Sequence, residues 1–259
     1  MPATHAIKDP TGDAMLLSTA YFPPVEYFAK IAEGFSLSPD GVEPSVIYIE
    51  ACEHYRKQTY RNRFRFYAAD GVQSLSFPVV GGESAQRLRI TDVEVDWSTP
   101  WLVRTERAIA SAYESSAYFD HYRDSLFSLL EERPRTLFEF NLSILRYFLE
   151  KTGIRADIRF TGEFTTIGSG IYGEDLREVI HPKRSNTILE DLSLAKPYFQ
   201  VFARKYGFAP NLSIMDLLFN EVPIQSFISR TFRTSSRGSG RCQTRSGSGR
   251  PRAGTRHRR

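Results

Sequence analysis

Apolar residues along this chain change their spacing twice. Residues 15–22 (MLLSTAYF) form a short apolar run stopped by Pro23 and Pro24, the pattern of a buried strand. Val25, Phe28, Ala29 and Ala32 follow at helical steps behind Pro24, which suits the first position of a helix. After the turn-rich stretch 34–44, residues 46–51 (VIYIEA) read as a second, β-branched strand. Strand, helix and strand within about 35 residues have the size of a βαβ unit, which predicts two parallel strands.

Alternation then takes over. Residues 60–67 alternate, Asp70-Gly71 signals a hairpin into 73–80, and Gly81-Gly82 turns the chain toward 87–95, again spaced like a strand. From Pro100 the period becomes helical. Segments 102–113, 118–130 and 137–149 carry apolar residues three and four apart, with Pro134 before the third and Gly153 ending it. Further on, the pattern predicts a strand over 156–164, a short helix over 174–180 and a helix over 198–206. A last helix over 213–219 has Asn211 or Ser213 as its cap. This order predicts one α/β or α+β domain over 15–221, behind a flexible N-terminus 1–14. A mixed sheet comes from the N-terminal third, and helices from the middle and C-terminal part.

Charge divides the chain in two. The whole has 34 basic and 30 acidic residues, net +4. Residues 222–259 hold ten arginines and no acid, so 1–221 keeps 24 basic residues against 30 acids, net −6. The tail is Arg, Ser and Gly without periodicity, a composition that does not bury enough apolar surface to order, and it is expected to be disordered. An acidic body disfavours nucleic acid as its partner, because backbone phosphates want a broad positive field. Two cysteines exclude a disulfide framework and a four-thiolate metal site. No apolar run nears the roughly 20 residues of a membrane helix, and residues 1–24 make a poor secretory signal. A cytoplasmic protein with no membrane insertion is expected; its oligomeric state is left open.

The densest chemistry lies in 53–66 (EHYRKQTYRNRFRF). On a strand over 60–67, Tyr60, Asn62, Phe64 and Phe66 share one face. Arg61, Arg63 and Arg65 share the other, about 7 Å apart. Three rigid donor forks in a row fit a phosphate or carboxylate clamp. The alternative is a solvated face paired with Asp92, Glu94 or Asp96. His54, beside the ladder, is the one titratable group that reads as a general base, with Glu53 next to it. Gly168, Gly170 and Gly173 match G-x-G-x-x-G, but no strand runs straight into the first glycine, so a loop is expected rather than a dinucleotide site. The histidines show no metal-ligand spacing, and no metal or cofactor signal is present.

Several blocks together resemble the WbqC-like family of bacteria, in the form found in Bacteroidetes-type bacteria. They are Tyr21-Phe22-Pro23-Pro24-Val25-Glu26-Tyr27-Phe28, the 53–63 block, Ser111-Ala112-Tyr113, Phe140-Asn141-Leu142, Tyr198-Phe199-Gln200 and Asp216-Leu217-Leu218-Phe219-Asn220. The resemblance implies a place in O-antigen or other surface-polysaccharide biosynthesis. The implied activity is transfer of glycine or another acyl group to a nucleotide-activated amino sugar, so the expected partner is a nucleotide sugar or other phosphorylated small molecule. The alternative is a non-catalytic binding protein of the same pathway. In the transferase reading Lys57, Arg61 and Arg63 hold the diphosphate, Tyr60 and Asn62 orient the sugar, and His54 or Glu53 takes a proton. Two departures from the family pattern stand out. Thr105 occupies the position where members carry His, and the chain after Glu221 has the composition that wrong-frame reading of G/C-rich DNA produces. A frameshift near codon 222 is the expectation, with binding to nucleic acid or an anionic membrane as the tail's rival role.

Overall fold

A computed structural model describes residues 14–36 and 44–221. The segments expected to be flexible or disordered, 1–13 and 222–259, lie outside the described residues, while Ala14 is buried.

Strand β1 (Met15–Leu17), helix α1 (Val25–Ser36) and strand β2 (Ser45–Ile49) form the expected unit, with Leu16 opposite Tyr48 in a parallel pair. β1 is shorter than the apolar run that encodes it. At Phe22 the backbone turns left-handed (φ 47°), and Tyr21 and Phe22 leave the strand to fill the core. The Tyr21 ring meets Phe64, Phe77 and Phe140 at 5.3, 4.7 and 5.6 Å, and Phe22 meets Phe64 at 4.7 Å. Edge-to-face aromatic packing thus outweighs two more rungs of sheet.

The hairpin is β3 (Arg63–Ala68) with β4 (Gly71–Ser76). Ala68 pairs with Gly71, so Ala69-Asp70 is the turn, and Gly71 takes φ 109°, which a side chain resists. Segment 87–95 is not a strand. It makes 3₁₀ turns at Ser84–Arg87 and Ile90–Asp92 and only isolated bridges beyond, because Ile90 and Val93 reach the core three residues apart.

Helices α2 (Trp101–Tyr113), α3 (Phe119–Glu131) and α4 (Leu137–Thr152) appear where the period predicts. α4 carries a capping box from Thr136 and Glu139 and ends at left-handed Gly153. Strand β5 (Ala156–Phe160) follows, and then β6 (Glu174–Asp175) stands where a helix was expected. Gly173 N donates to Ala14 O (3.0 Å) and Leu176 N to Leu16 O (2.9 Å), so the free edge of β1 captures the segment. The result is a four-stranded parallel sheet in the order β5-β2-β1-β6, with the hairpin as a separate two-stranded sheet. The fold is mixed α/β.

Three helices close the described chain: α5 (Ile188–Asp191), α6 (Ala203–Tyr206) and α7 (Ile214–Asn220). Over 198–206 only α6 is helical. Tyr198 and Gln200 are instead drawn to the fully buried carboxylate of Asp216, which takes bonds from Tyr198 (2.5 Å), Gln200 (2.9 Å) and Tyr113 (2.9 Å). Burial raises the Asp216 pKa above the usual carboxylate range, with these donors working against that rise. Ser213 caps α7 as expected, accepting from Met215 N. Asn211 caps a different helix: its Oδ1 accepts from Glu26 N (3.1 Å) and Leu212 O accepts from Val25 N (2.9 Å) at the start of α1. The C-terminal turn therefore supplies the N-cap of the first helix.

Asn211 also sits at φ 56°, a conformation that favours Asn over Ala. Asn211→Ala is expected to cost about 1–2 kcal/mol, read as a lower urea midpoint with an unchanged m-value.

Candidate functional site

Each parallel strand hands a polar group to the carboxyl end of the sheet, where open α/β sheets bind ligands. Ser18 follows β1, Glu50 follows β2, Thr161 follows β5 and Arg177 follows β6. Two buried ion-pair networks result.

The first is centred on Glu50, which is completely buried. Its Oε1 accepts from Thr161 Oγ1 (2.5 Å) and Cys52 N (3.0 Å), and its Oε2 from Arg177 Nη1 (2.7 Å) and Thr165 N (3.3 Å). Arg177 grips Asp175 with a second pair of bonds, Nε to Oδ1 at 2.9 Å and Nη2 to Oδ2 at 2.6 Å, and donates to Thr165 O at 2.8 Å. Burial opposes both charges. The Arg177 donors nonetheless hold Asp175 below the ordinary carboxylate range, and the acids hold Arg177 above the ordinary guanidinium range.

The second network pairs Glu53 with Arg61, both nearly inaccessible. Arg61 Nε donates to Glu53 Oε1 (2.9 Å), and its Nη2 reaches both Glu53 Oε2 and Ser18 Oγ (2.8 Å to the latter). Thr59 Oγ1 accepts from Nη1 (3.2 Å), and Ser18 Oγ donates back to Glu53 Oε2 (3.2 Å). The fork is set by its backbone. Arg61 O accepts from Asn141 Nδ2 (2.8 Å), Asn62 Nδ2 donates to Phe77 O (2.9 Å), and Tyr21 N donates to Tyr60 O (2.7 Å). Beside it lies a cavity of about 10 Å³ lined by Ser18, Thr19, Tyr27, Thr59, Tyr60 and Arg61. That volume admits about one water.

The expected site residues therefore part company. Glu53, Tyr60 and Arg61 meet at the cavity or its edge, and burial pushes the Tyr60 phenol up to about 12. Asn62 is buried and holds the turn. Lys57 is exposed and pairs with Glu83, and His54 is exposed, its backbone bridged to Arg89. Arg63 and Arg65 are half-buried on the outer face of β3, whereas Arg61 precedes the strand, so the three arginines do not form one ladder. Nor do they pair with the acids considered: Arg61 holds Glu53, Glu94 binds Arg135 (2.5 Å), and Asp96 caps Ser98.

Ser18, Glu50, Thr161, Asp175 and Arg177 escaped the sequence reading. Ser18, Glu50 and Thr161 each stand directly after a strand, Asp175 ends β6 and Arg177 lies two residues beyond it, positions that gain meaning only once the strands are known to be parallel. The G-x-G-x-x-G segment is a loop leading into β6, with Gly168 and Gly170 at φ 75° and 73°. Above the site, two surface loops join: Arg56 and Arg184 both pair with Glu178 (2.7 and 2.9 Å), and Lys183 Nζ donates to Gln58 Oε1 (2.5 Å). With Lys57 they form a rim rich in cations. Among the described residues, no three His, Cys, Asp or Glu side chains are placed to hold a metal ion.

A model of the WbqC-like protein family matches residues 19–181, a stretch holding both ion pairs. The chain belongs to the WbqC-like family. The chain is also similar to the uncharacterized protein Rv1507c of Mycobacterium tuberculosis (strain ATCC 25618 / H37Rv), 25% identical over 229 residues, with 79% of this chain and 92% of that protein covered. No solved structure matches.

Removing Arg177 leaves the buried Glu50 and the half-buried Asp175 without their cation, and Arg177→Gln is expected to cost about 3–5 kcal/mol at neutral pH. The deficit should shrink as pH falls. In the wild type, Asp175 has a depressed folded pKa, so its contribution is full above the unfolded value and lost on acidification through the folded one. Urea unfolding at neutral pH and near pH 4 checks this; a deficit that grows in acid contradicts it.

Proposed function

We propose that the protein transfers an acyl group, of the glycine type, to the amine of a nucleotide-activated amino sugar in surface-polysaccharide biosynthesis. The observation that supports this reading is the pair of polar networks that the four parallel strand ends supply beneath a cationic rim. A cation-rich rim suits a diphosphate, which needs charge at the surface and shaped hydroxyl donors below it. In this reading Lys57 and Arg63 meet the diphosphate, and Arg61, oriented by Glu53, presents its remaining edge. The Tyr60 hydroxyl orients the sugar, and Asn62 acts through the turn it holds. The amine attacks the donor carbonyl, a C–N bond forms as the carbonyl's bond to its leaving group breaks and that group departs with the electron pair, and the amine proton passes to the exposed His54.

One observation favours a second reading, a non-catalytic binding protein of the same pathway. The acids of both networks are already engaged by arginines, so no carboxylate at the cavity is free to act as a base. The tail's rival role in nucleic-acid binding concerns residues outside the described ones.

Thermal-shift measurements on the full chain with UDP-linked amino sugars test both readings. A ligand at ten times its Kd adds about 1.4 kcal/mol and should raise Tm by a few degrees. Lys57→Ala and Arg63→Ala should each weaken the shift; a shift insensitive to both removes these two cations from the site. Mass spectrometry of the sugar after incubation with aminoacyl or acyl donors then separates the two. A mass gain identifies the transferase, and binding without one favours the carrier.

A further inference from the structure

The parallel sheet ends at β5, and the backbone there is set to receive another strand. Its ladder with β2 decides which groups face outward. Ser45 N donates to Arg155 O and Thr161 N to Ile49 O, each at 3.2 Å. In a parallel pair both backbone groups of a residue point to one side, and the sides alternate along the strand. Residues 155, 157, 159 and 161 therefore face β2, while Ala156, Ile158 and Phe160 turn their N–H and C=O groups away from it. Among the described residues nothing bonds to those outward groups.

We propose that β5 pairs antiparallel with β5 of a second copy of this chain, about a two-fold axis at Ile158, joining two four-stranded sheets into one. The strand is complementary to itself in three ways. Its backbone matches, since Ile158 faces Ile158 and Ala156 faces Phe160 in hydrogen-bonded pairs, which use every outward N–H and C=O. Its charges match as well. The same register sets Asp157 opposite Arg159 of the second copy in a non-hydrogen-bonded pair, where side chains come closest. Within one chain Arg159 already bonds Asp157 at 2.9 and 2.7 Å, with the two side chains 37% and 42% exposed, so both charges are available to bridge the axis instead.

The apolar side chains match in shape. Ala156, Ile158 and Phe160 share the face that packs toward the core, and Phe160 is left 39% exposed. Next to Ala156 runs a groove of about 420 Å³, lined by Pro44, Leu149, Ile154, Ala156 and Ile158, with Arg146, Arg155 and Asp157 also on its wall. The register lays Phe160 of the second copy over Ala156 and into this groove, large against small, and symmetry repeats the contact. Such an isologous interface closes on itself and stops at two chains. Opposite-sign charges on the edge deter unlike strands while admitting this one.

Sedimentation velocity on the full chain at micromolar concentration tests the proposal, with a dimer expected. Ile158→Pro deletes the central outward N–H and leaves the β2 ladder intact, so it should give a monomer. Asp157→Arg and Arg159→Asp each oppose like charges across the axis and should weaken association by about tenfold or more. The double variant D157R/R159D restores opposite charges and should recover the dimer. If Ile158→Pro fails to fold by circular dichroism, the three charge variants decide alone. A monomeric wild type, a dimer indifferent to these changes, or a double variant no better than the singles each overturns the proposal.

Discussion

A carboxylate with no access to water stands at the end of a strand in an apolar sheet, and it constrains much around it. Glu50 is stable there only if its charge is met, since an uncompensated buried ion costs several kcal/mol. Arg177 meets it, and to do so the chain after β5 must come back across the sheet, pass beside Ala14 and enter β6 next to β1. The loop 161–173 closes over the cluster because Thr161 and Thr165 are bonded to Glu50 at one end and Asp175 to Arg177 at the other. One electrostatic requirement thereby fixes a strand, a loop and the floor of the candidate site.

The second pair is tied to the core by other means. Arg61 reaches Glu53 from a turn whose carbonyls and amides are held by Asn62, Asn141 and Tyr21, and Tyr21 lies among the rings of Phe64, Phe77 and Phe140. Packing of the aromatic core and placement of the guanidinium are a single arrangement. The same economy joins the start and the end of the described residues, since Asn211 and Leu212 complete the first turn of α1 while Pro23 O accepts from Ile214 N. A disturbance near the C-terminal turn is thus felt at the start of α1, next to the cavity-lining Tyr27.

Elements whose apolar period is long and whose ends carry local signals were legible in the sequence. Helix α4, with its capping box and Gly153, and the hairpin at Gly71 are of this kind, while α2 and α3 follow from the burial of one face, because all of these act within a few residues. Segments governed by distant partners were not. Residues 174–180 have a helical pattern, yet the open edge of β1 offers hydrogen bonds the local chain cannot match. Residues 198–200 lie outside any helix, with Tyr198 and Gln200 held by Asp216. At the site, the 53–63 block was visible as dense charge and aromatics. The strand reading of 60–67, however, put Arg61 on a solvent face, whereas the structure turns it inward to Glu53.

By itself, then, the sequence determined the α/β class, the βαβ opening, the helical middle and the stretch of chain that matters, since these follow from periodicity and nearest-neighbour chemistry. Tertiary structure alone decided that Glu50 and Arg177, separated by 127 residues, share one buried pair, and that Ser18 joins Glu53 and Arg61. The physical reason is that desolvated charges choose partners by position in space, and that position is set by a parallel sheet whose strands come from distant parts of the chain.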